Sequence, residues 1–396
     1  MANRLMRLAV RNYRSLADMS VDLGAVNVLF GPNGSGKSTL LDTMWFFRGC
    51  AVRGVELASA ERSHGINILY DGAGPEDLIS IALATEDVEY VLRVGLSAGR
   101  IEPFVGERLF SNTRQAVLID RKVGSDKASL YHAKMKEPVL VNLREPEKLS
   151  LGRYLDFEDK VDEAVDFDRL LRSTYFYHCR SFNFYNIKQK GSEIEPGTRL
   201  SPRGDNVWSV LRNLHDRQRV DRRYDTIMNF MAESFPSFDG LLLEQTGPGT
   251  IYSSFLEKGR HNPIRASGVS DGQIEMLLVL TGLFADAPHR DSVVLFDEPD
   301  LSLHPWALAV LAKAIQHAVD QWKRQVVIAT HSPVLLSQFE VDQILAAEVK
   351  QGRTQIKRLS EMDEIKDLLE RYAAGSLYMA QVIGAQAADA EAAEVQ

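Results

Sequence analysis

The run Gly31-Pro32-Asn33-Gly34-Ser35-Gly36-Lys37-Ser38 restricts this chain more than any other stretch of its 396 residues. It matches G-x-x-x-x-G-K-[S/T] without a gap, and the apolar segment Val26–Phe30 runs directly into it. A strand, a glycine-rich loop and a helix from about Lys37 are therefore expected in that order. Glycines let backbone N–H groups converge on phosphate oxygens, and a helix N-terminus adds partial positive charge. Lys37 has the reach for β- and γ-phosphates, and Ser38 carries a hydroxyl suited to Mg²⁺. The bland reading is a glycine-rich turn before an ordinary helix. The strand ahead of it favours the phosphate loop.

Around this loop the pattern is that of an α/β chain. Residues 5–10 read as a short strand. Residues 78–84, 89–95 and 101–105 read as a meander of strands, with turn signals at Glu86-Asp87 and Ala98-Gly99. From about 159 to 235 the pattern is helical, basic and aromatic, interrupted near 191–204. Ser270 is placed to cap an apolar helix over 273–284. Residues 293–296 and 326–329 are short apolar runs of the kind found in buried parallel strands, with a helix over 303–319 between them. The tail after about Gly384 lacks large apolar residues and is expected to fray. No internal repeat is present.

Cys50 and Cys179 are too few for a disulfide framework and suit a reducing cytosol. The Met1 end shows no leader pattern, and no apolar run approaches the roughly 18–20 residues that span a bilayer. A cytoplasmic location is expected. The formal net charge of −8 excludes a protein coated in basic charge but permits a local basic groove.

Three further clusters carry chemistry. Asp297-Glu298 comes directly after the apolar run 293–296. A carboxylate at such a strand end can hold Mg²⁺, and a second beside it can polarise an attacking water. His331 stands after the next apolar run, where an imidazole can sense a γ-phosphate by hydrogen bonding. Ser270-Asp271-Gly272-Gln273 opens a helix, so its hydroxyl and free N–H groups make an anion site, a simple N-cap, or both.

Taken in this order, the motifs resemble the ABC ATPase superfamily, and more closely the RecF/SMC-type heads and the ATPases related to the OLD family. GPNGSGKST, which ends at Thr39, is similar to a Walker A motif, and VVLFDEP to a Walker B motif. VSDGQ is similar to the signature, DLSLHP to the D-loop and ATHSP to the switch. RLAVRNYRSLADMSVDLGAVNVLFGPNGSGKSTLLD, residues 7–42, and RGDNVWSVLRNL are also typical of these heads. The resemblance covers most of the chain outside about 112–159 and the tail. It implies a P-loop ABC-type head with an antiparallel β-subdomain and a helical insert. ATP and Mg²⁺ would be its cofactors. Gly31, Pro32, Asn33, Gly34, Ser35, Gly36, Lys37, Ser38 and Thr39 would hold the nucleotide. Ser38 and Asp297 would hold Mg²⁺, Glu298 would be the general base and His331 the switch. Ser270, Gly272 and Gln273 would meet the γ-phosphate of a second copy, so a homodimer formed on ATP is implied.

Two features depart from the pattern. Asp271 stands where transporter heads usually have Gly, as is common in this subgroup. No glutamine lies between the P-loop and Gln115, so the usual Q-loop has no clear counterpart; Tyr177-His178-Cys179-Arg180 is the candidate for that lobe junction. The stretch after His331 is too short for the acidic metal-binding domain of OLD-type nucleases. No long heptad repeat marks a full SMC arm.

The segment 169–223 holds Arg169, Arg172, Arg180, Lys188, Lys190, Arg199, Arg203, Arg212, Arg217, Arg219, Arg222 and Arg223. Offset by five acids, they leave about +7. Tyr175, Phe176, Tyr177, Phe182, Phe184, Tyr185 and Trp208 interleave with them. Two readings stand: a nucleic-acid surface that neutralises phosphates and stacks bases, or solvated helix faces over core aromatics.

The expected organisation is an N-terminal ATPase lobe over 1–111, a largely helical, basic and aromatic insert over 112–239, a C-terminal ATPase lobe over 240–350, and an extension over 351–396. The expected activity is ATP hydrolysis by a head that dimerises on ATP, serving DNA repair, DNA maintenance or anti-phage defence, with DNA or an effector protein as partner. An ATP-gated regulatory subunit and a transporter nucleotide-binding subunit are the alternatives. SDGQ and SLHP look more like the RecF/SMC side than the transporter side.

Overall fold

The computed structural model describes residues 3–62, 68–74, 76–97, 100–286, 291–369, 371–380 and 382–383. Its centre is a six-stranded sheet in the order Thr174–His178, Ser292–Asp297, Arg324–Thr330, Val26–Phe30, Ile344–Lys350 and Arg353–Arg358. Every pairing is parallel except the last, a hairpin. Successive side chains enter opposite cores. Val26, Val28, Val294, Phe296, Val326 and Ile328 face one core. Leu29, Val293, Leu295, Val327 and Ala329 face the other. With both faces covered, the inner strands are apolar at most positions, which is why 293–296 and 326–329 read as unbroken runs.

The helix Lys37–Arg53 fills the space between this sheet and a second, eight-stranded antiparallel sheet. Its Leu40, Leu41, Met44, Phe47 and Cys50 share one core with Leu8, Ile81 and Tyr90 of that sheet and with Leu295 and Val327 of the first. The opposite face of the parallel sheet is covered by the helices Val207–His215, Arg223–Ser234, Asp271–Phe284 and Pro305–Trp322. A small sheet built on the hairpin Phe238–Gly247 and Thr250–Glu257 packs beside them. Among the described residues no helix is long and apolar enough to cross a membrane.

The α/β head fold with its antiparallel subdomain is as expected, but three segments differ from the sequence reading. Residues 112–159 were expected to open a helical insert. Instead Ala116–Arg121, Lys127–His132 and Glu137–Asn142 extend the antiparallel sheet. Their alternation is real but short: Ala128 and Leu130 are buried, and charged turns separate the strands. The second is Thr174–His178, read as part of a helical stretch and found as the outer strand of the central sheet. Its residues are aromatic or β-branched in all but the last position, which suits a strand. Arg353–Arg358, placed in the extension over 351–396, is hydrogen-bonded into the same sheet. The turn at Ala98-Gly99 and the tail after Gly384 lie outside the described residues.

One buried charge pair ties the antiparallel sheet to the next segment. Glu107 and Arg121 both have fully buried side chains and meet at 3.1 Å. Glu107 also accepts from the Tyr90 hydroxyl and from Ser150 N and Oγ, while Arg121 donates to the carbonyls of Pro146 and Lys148. Such a pair is costly to break from one side only. Arg121→Met is expected to lower stability by about 3–5 kcal/mol, read as an earlier midpoint in urea unfolding. Combining it with Glu107→Gln should cost less than the two single changes together. Additive costs would show that the residues do not act as a pair.

Candidate nucleotide site

The glycine-rich loop leaves the strand Val26–Phe30 and winds into the helix at Lys37. Gly31 and Gly36 are held there by contact as well as by dihedral angle. Gly31 has φ 149°, and a Cβ there would lie 2.1 Å from the Ala347 carbonyl oxygen. Gly36 has φ 92°, and a Cβ there would lie 2.6 Å from Thr354 Oγ1. Gly34 has φ 78° but open space around it. The hairpin strands Ile344–Lys350 and Arg353–Arg358 thus press against the loop and set its path.

Lys37 is only 5% exposed. Its Nζ donates to the carbonyls of Gly31 at 2.8 Å and Pro32 at 2.9 Å. Burial pushes its pKa down to about 8, against the pull of Glu298 and Asp297. Ser35 Oγ is buried without a hydrogen-bond partner. Ser38, on the first turn of the helix, donates through Oγ to Asp297 Oδ1 at 3.0 Å.

The strand Ser292–Asp297 delivers the two acids. Asp297 is 2% exposed, and its Oδ2 lies 2.8 Å from His178 Nδ1. Glu298 turns back with φ 56°, and its N–H donates to the Ala329 carbonyl at 2.8 Å. That left-handed backbone costs a non-glycine residue about 1–2 kcal/mol. It aims the carboxylate between Arg180, whose Nε donates to Oε2, and His331, whose Nε2 is 3.4 Å from Oε1. The two imidazoles are pushed apart. The hydrogen bond with Asp297 raises the His178 pKa, whereas burial and then the Lys37 charge lower that of His331. One step behind, Thr330 Oγ1 donates to Asp300 at 2.9 Å, and burial lifts the Asp300 carboxyl to about 6.

This donor set fits a phosphate chain with a divalent cation. A hydroxyl and a carboxylate 3.0 Å apart are hard-oxygen ligands of the type Mg²⁺ takes. The loop around them is one that side chains would obstruct, and it holds an unsatisfied buried hydroxyl at Ser35.

Ser270, Gly272 and Gln273 form a separate cluster. Ser270 Oγ caps the helix Asp271–Phe284 by accepting from Gln273 N at 3.3 Å. Gly272 packs so tightly on the loop after Asp300 that a Cβ would lie 2.5 Å from the Ser302 carbonyl oxygen. Glu275, on the same helix, accepts from Leu301 N and Ser302 N at 3.1 Å each. Lys188 fixes the helix start by donating to Val269 O and Asp271 Oδ1, both at 2.7 Å. Among the described residues no hydrogen bond or ion pair joins this cluster to residues 31–39. The fold therefore brings together Gly31 to Thr39, Asp297, Glu298 and His331, and leaves Ser270 to Gln273 on its own.

Sequence reasoning assigned His178 no role beyond a lobe junction, and Arg180 only that and a place in the basic segment. Their place comes from register: His178 sits opposite Asp297 on the neighbouring parallel strand. The basic segment dissolves in large part. Arg223 is buried, donating to Asp221 at 2.7 Å and to the Ala285 carbonyl. Arg169, Arg172, Arg180, Lys188 and Arg212 each face an acid. Tyr175, Tyr177, Phe182 and Trp208 are core residues, whereas Tyr185 is exposed. Of the cluster at 217–223, Arg217, Arg219 and Arg222 reach solvent.

Comparison with known proteins places these features. The AAA_21 family model, described as "AAA domain, putative AbiEii toxin, Type IV TA system", matches residues 26–337. The chain is 22% identical over 380 residues to an OLD nuclease of Thermus scotoductus (strain ATCC 700910 / SA-01), covering 91% of this chain and 65% of that protein. It is 37% identical over 70 residues to Protein ea59 of Escherichia phage lambda, covering 18% of this chain and 13% of that protein. The chain thus spans less than two thirds of the length of either relative. Its fold is similar to an SmcHead bound to the C-winged helix domain of ScpA, with TM-score 0.52 and 15% identity, covering 91% of this chain and 99% of that one. It is also similar to an Smc head domain with an extended coiled coil, bound to the C-terminal domain of ScpA derived from Pyrococcus furiosus. There the TM-score is 0.51 and the identity 13%, covering 93% and 100%. At such identities the likeness is one of fold.

The two loop glycines give a contrast that tests the site. Gly34→Ala should cost about 1–2 kcal/mol of stability for its dihedral angle alone and keep most affinity for a fluorescent ATP analogue. Gly31→Ala must move backbone at Ala347, so it should lose nucleotide binding and stability together. Equal effects of the two changes on binding would show that the hairpin contact does not set the loop.

Proposed function

The chain belongs to the AAA_21 family of ATPase domains, and from that premise we propose that it binds ATP with Mg²⁺ at residues 31–39 and hydrolyses it in a dimer, each site completed by a second copy. The observation that carries this reading is the Ser38–Asp297 contact at 3.0 Å, with Glu298 next in sequence. It sets a loop hydroxyl, a strand-end carboxylate and a second carboxylate around one point.

The roles come from reach. Lys37 exchanges the carbonyls of Gly31 and Pro32 for the β- and γ-phosphates. Ser38 and Asp297 would hold Mg²⁺, which when bound neutralises charge on the phosphate oxygens. Glu298 orients a water in line with the γ-phosphorus and accepts its proton as the bond to the β-phosphate oxygen breaks. His331, with its pKa below the ordinary value, favours the neutral form near pH 7 and can offer an N–H to the γ-phosphate. Ser270 and Gly272 lack a partner in residues 31–39 of their own copy, which suits a cap and free N–H groups that serve the γ-phosphate of another.

The wider role we infer is DNA maintenance or anti-phage defence. The OLD nuclease likeness and the family description support that choice, and the exposed Arg217, Arg219 and Arg222 offer phosphates a contact. The partner is DNA or an effector protein that reads the ATP state. ATPase rates with and without duplex or single-stranded DNA distinguish these two.

Glu298→Gln is expected to bind ATP but hydrolyse it about 10²–10⁴-fold more slowly, and light scattering should then show dimer with Mg-ATP. Wild-type turnover in a folded Glu298→Gln protein would remove Glu298 from the role of base.

The shared site has its own test. Lys37→Ala and Ser270→Arg should each inactivate the homodimer, since both sites then carry a lesion. A covalently linked dimer of one Lys37→Ala copy and one Ser270→Arg copy keeps one intact site and should regain part of the activity. A linked dimer with a single Lys37→Ala lesion serves as control. If the control turns over and the mixed dimer does not, the signature assignment fails.

A further inference from the structure

A second cationic cluster lies on the open edge of the central sheet, away from the loop 217–222. The strand Thr174–His178 is outermost in that sheet. On one face of it Trp45 packs against Phe176 with ring centroids 6.2 Å apart, and the Arg48 guanidinium lies over Trp45 at 4.7 Å. On the other face Arg199 lies over Tyr175 at 4.3 Å. Tyr175 and Phe176 are neighbours pointing to opposite sides of one strand, so the two guanidinium groups flank a single edge. Arg172 ends the helix that leads into the same strand.

Arg48 is the telling member. It is 9% exposed, and its Nε is buried without a hydrogen-bond partner. Among the described residues it makes no ion pair with a carboxylate, and the cations Arg199, Arg53 and Arg172 act on it, opposed by Tyr175 and by Glu61 at longer range. Burial first, and then these cations, lower its pKa to about 10. The nearby acids are engaged elsewhere. Asp168 pairs with Arg172 at 2.6 Å, and Glu61 accepts from Arg53 at 2.7 Å. Asp286 accepts from the Tyr175 hydroxyl at 2.9 Å and lies 3.9 Å from Arg324. A buried, unpaired cation costs free energy that Met or Leu in the same space would not.

We propose that Arg48, Arg172 and Arg199 form a second anion site, for a phosphate-bearing ligand: the backbone phosphate of a nucleic acid or free phosphate. Guanidinium forks fit phosphate oxygens in pairs, and Trp45 supplies a stacked wall that holds Arg48 in place. Both elements that carry the site end at the nucleotide. The helix bearing Arg48 starts at Lys37, roughly three turns or ~16 Å away. The strand bearing Tyr175 and Phe176 ends at His178, beside Asp297. A ligand gripped at this edge therefore pulls on the elements that position Lys37, Ser38, His178 and Arg180.

Arg48→Met, Arg199→Ala and the double variant test this, since neither residue touches the nucleotide site and basal ATPase activity should persist. One arm measures fluorescence anisotropy of a short labelled duplex across a salt series. The other measures inorganic phosphate binding by calorimetry with Mg-ADP already filling the loop. The double variant should lose about ten-fold or more in affinity, and for duplex the log–log salt slope should flatten by about two. Arg48→Met should melt no lower than wild type, because an unpaired buried charge is removed. Binding of duplex alone assigns the ligand to nucleic acid, and binding of phosphate alone to the free ion. Unchanged binding by the double variant, or binding of neither probe by the wild type, overturns the proposal. So does a markedly lower melting temperature for Arg48→Met, which would make Arg48 a packing residue.

Discussion

Parallel register is the constraint on which the site depends. His178 lies opposite Asp297, Asp297 opposite Ala329, and Thr330 opposite Phe30. Four strands far apart in sequence thus end at one level, and the residues just beyond their ends meet there. Phe30 leads to the glycine loop, Asp297 to Glu298, Thr330 to His331, and His178 to Arg180. A slip of one residue in any strand would turn its side chains toward the wrong core and move its end out of the site together. The apolar alternation of Val293 to Phe296 and Val326 to Ala329 between two cores holds that register, so packing and chemistry share one cause.

Charge at the meeting point is balanced within tight limits. Asp297 and Glu298 are adjacent and almost wholly buried. Lys37, His178 and Arg180 bring positive charge to them, and the His331 imidazole stands beside Glu298. Removing one cation leaves a buried carboxylate without its partner, which costs more than the pair itself contributes. The same balance explains why the imidazoles diverge: a carboxylate raises the pKa of His178, and burial beside Lys37 lowers that of His331.

Much of this was legible in the sequence, for identifiable reasons. The phosphate loop, the strands on either side and Asp297-Glu298 are local signals: a fixed spacing, or an apolar run with an abrupt polar end. The antiparallel strands from Ile79 to Ser111 showed period-two alternation over enough residues to be read. Thr174–His178 did not, because its five residues carry aromatics on both faces and sit among arginines, so composition outweighed period. The nucleic-acid reading of that segment suffered likewise. Sequence shows that arginines and aromatics alternate; only the fold shows Trp208 in the core and Arg223 spent on Asp221 and a carbonyl. The contacts of His178 and Arg180 with the acids depend on strands more than a hundred residues apart. No local pattern encodes such a contact.

The left-handed backbone at Glu298 sets two kinds of selection against each other. Glycine or asparagine adopts φ near 56° with less strain than glutamate does. A library of this chain screened only for resistance to heat would therefore drift at position 298 toward those residues. It would enrich proteins that hold their shape longer and have lost the carboxylate that Arg180 and His331 face. In such a screen the gain at 298 is a warning: a position whose backbone favours another residue is one whose chemistry leaves little freedom to change.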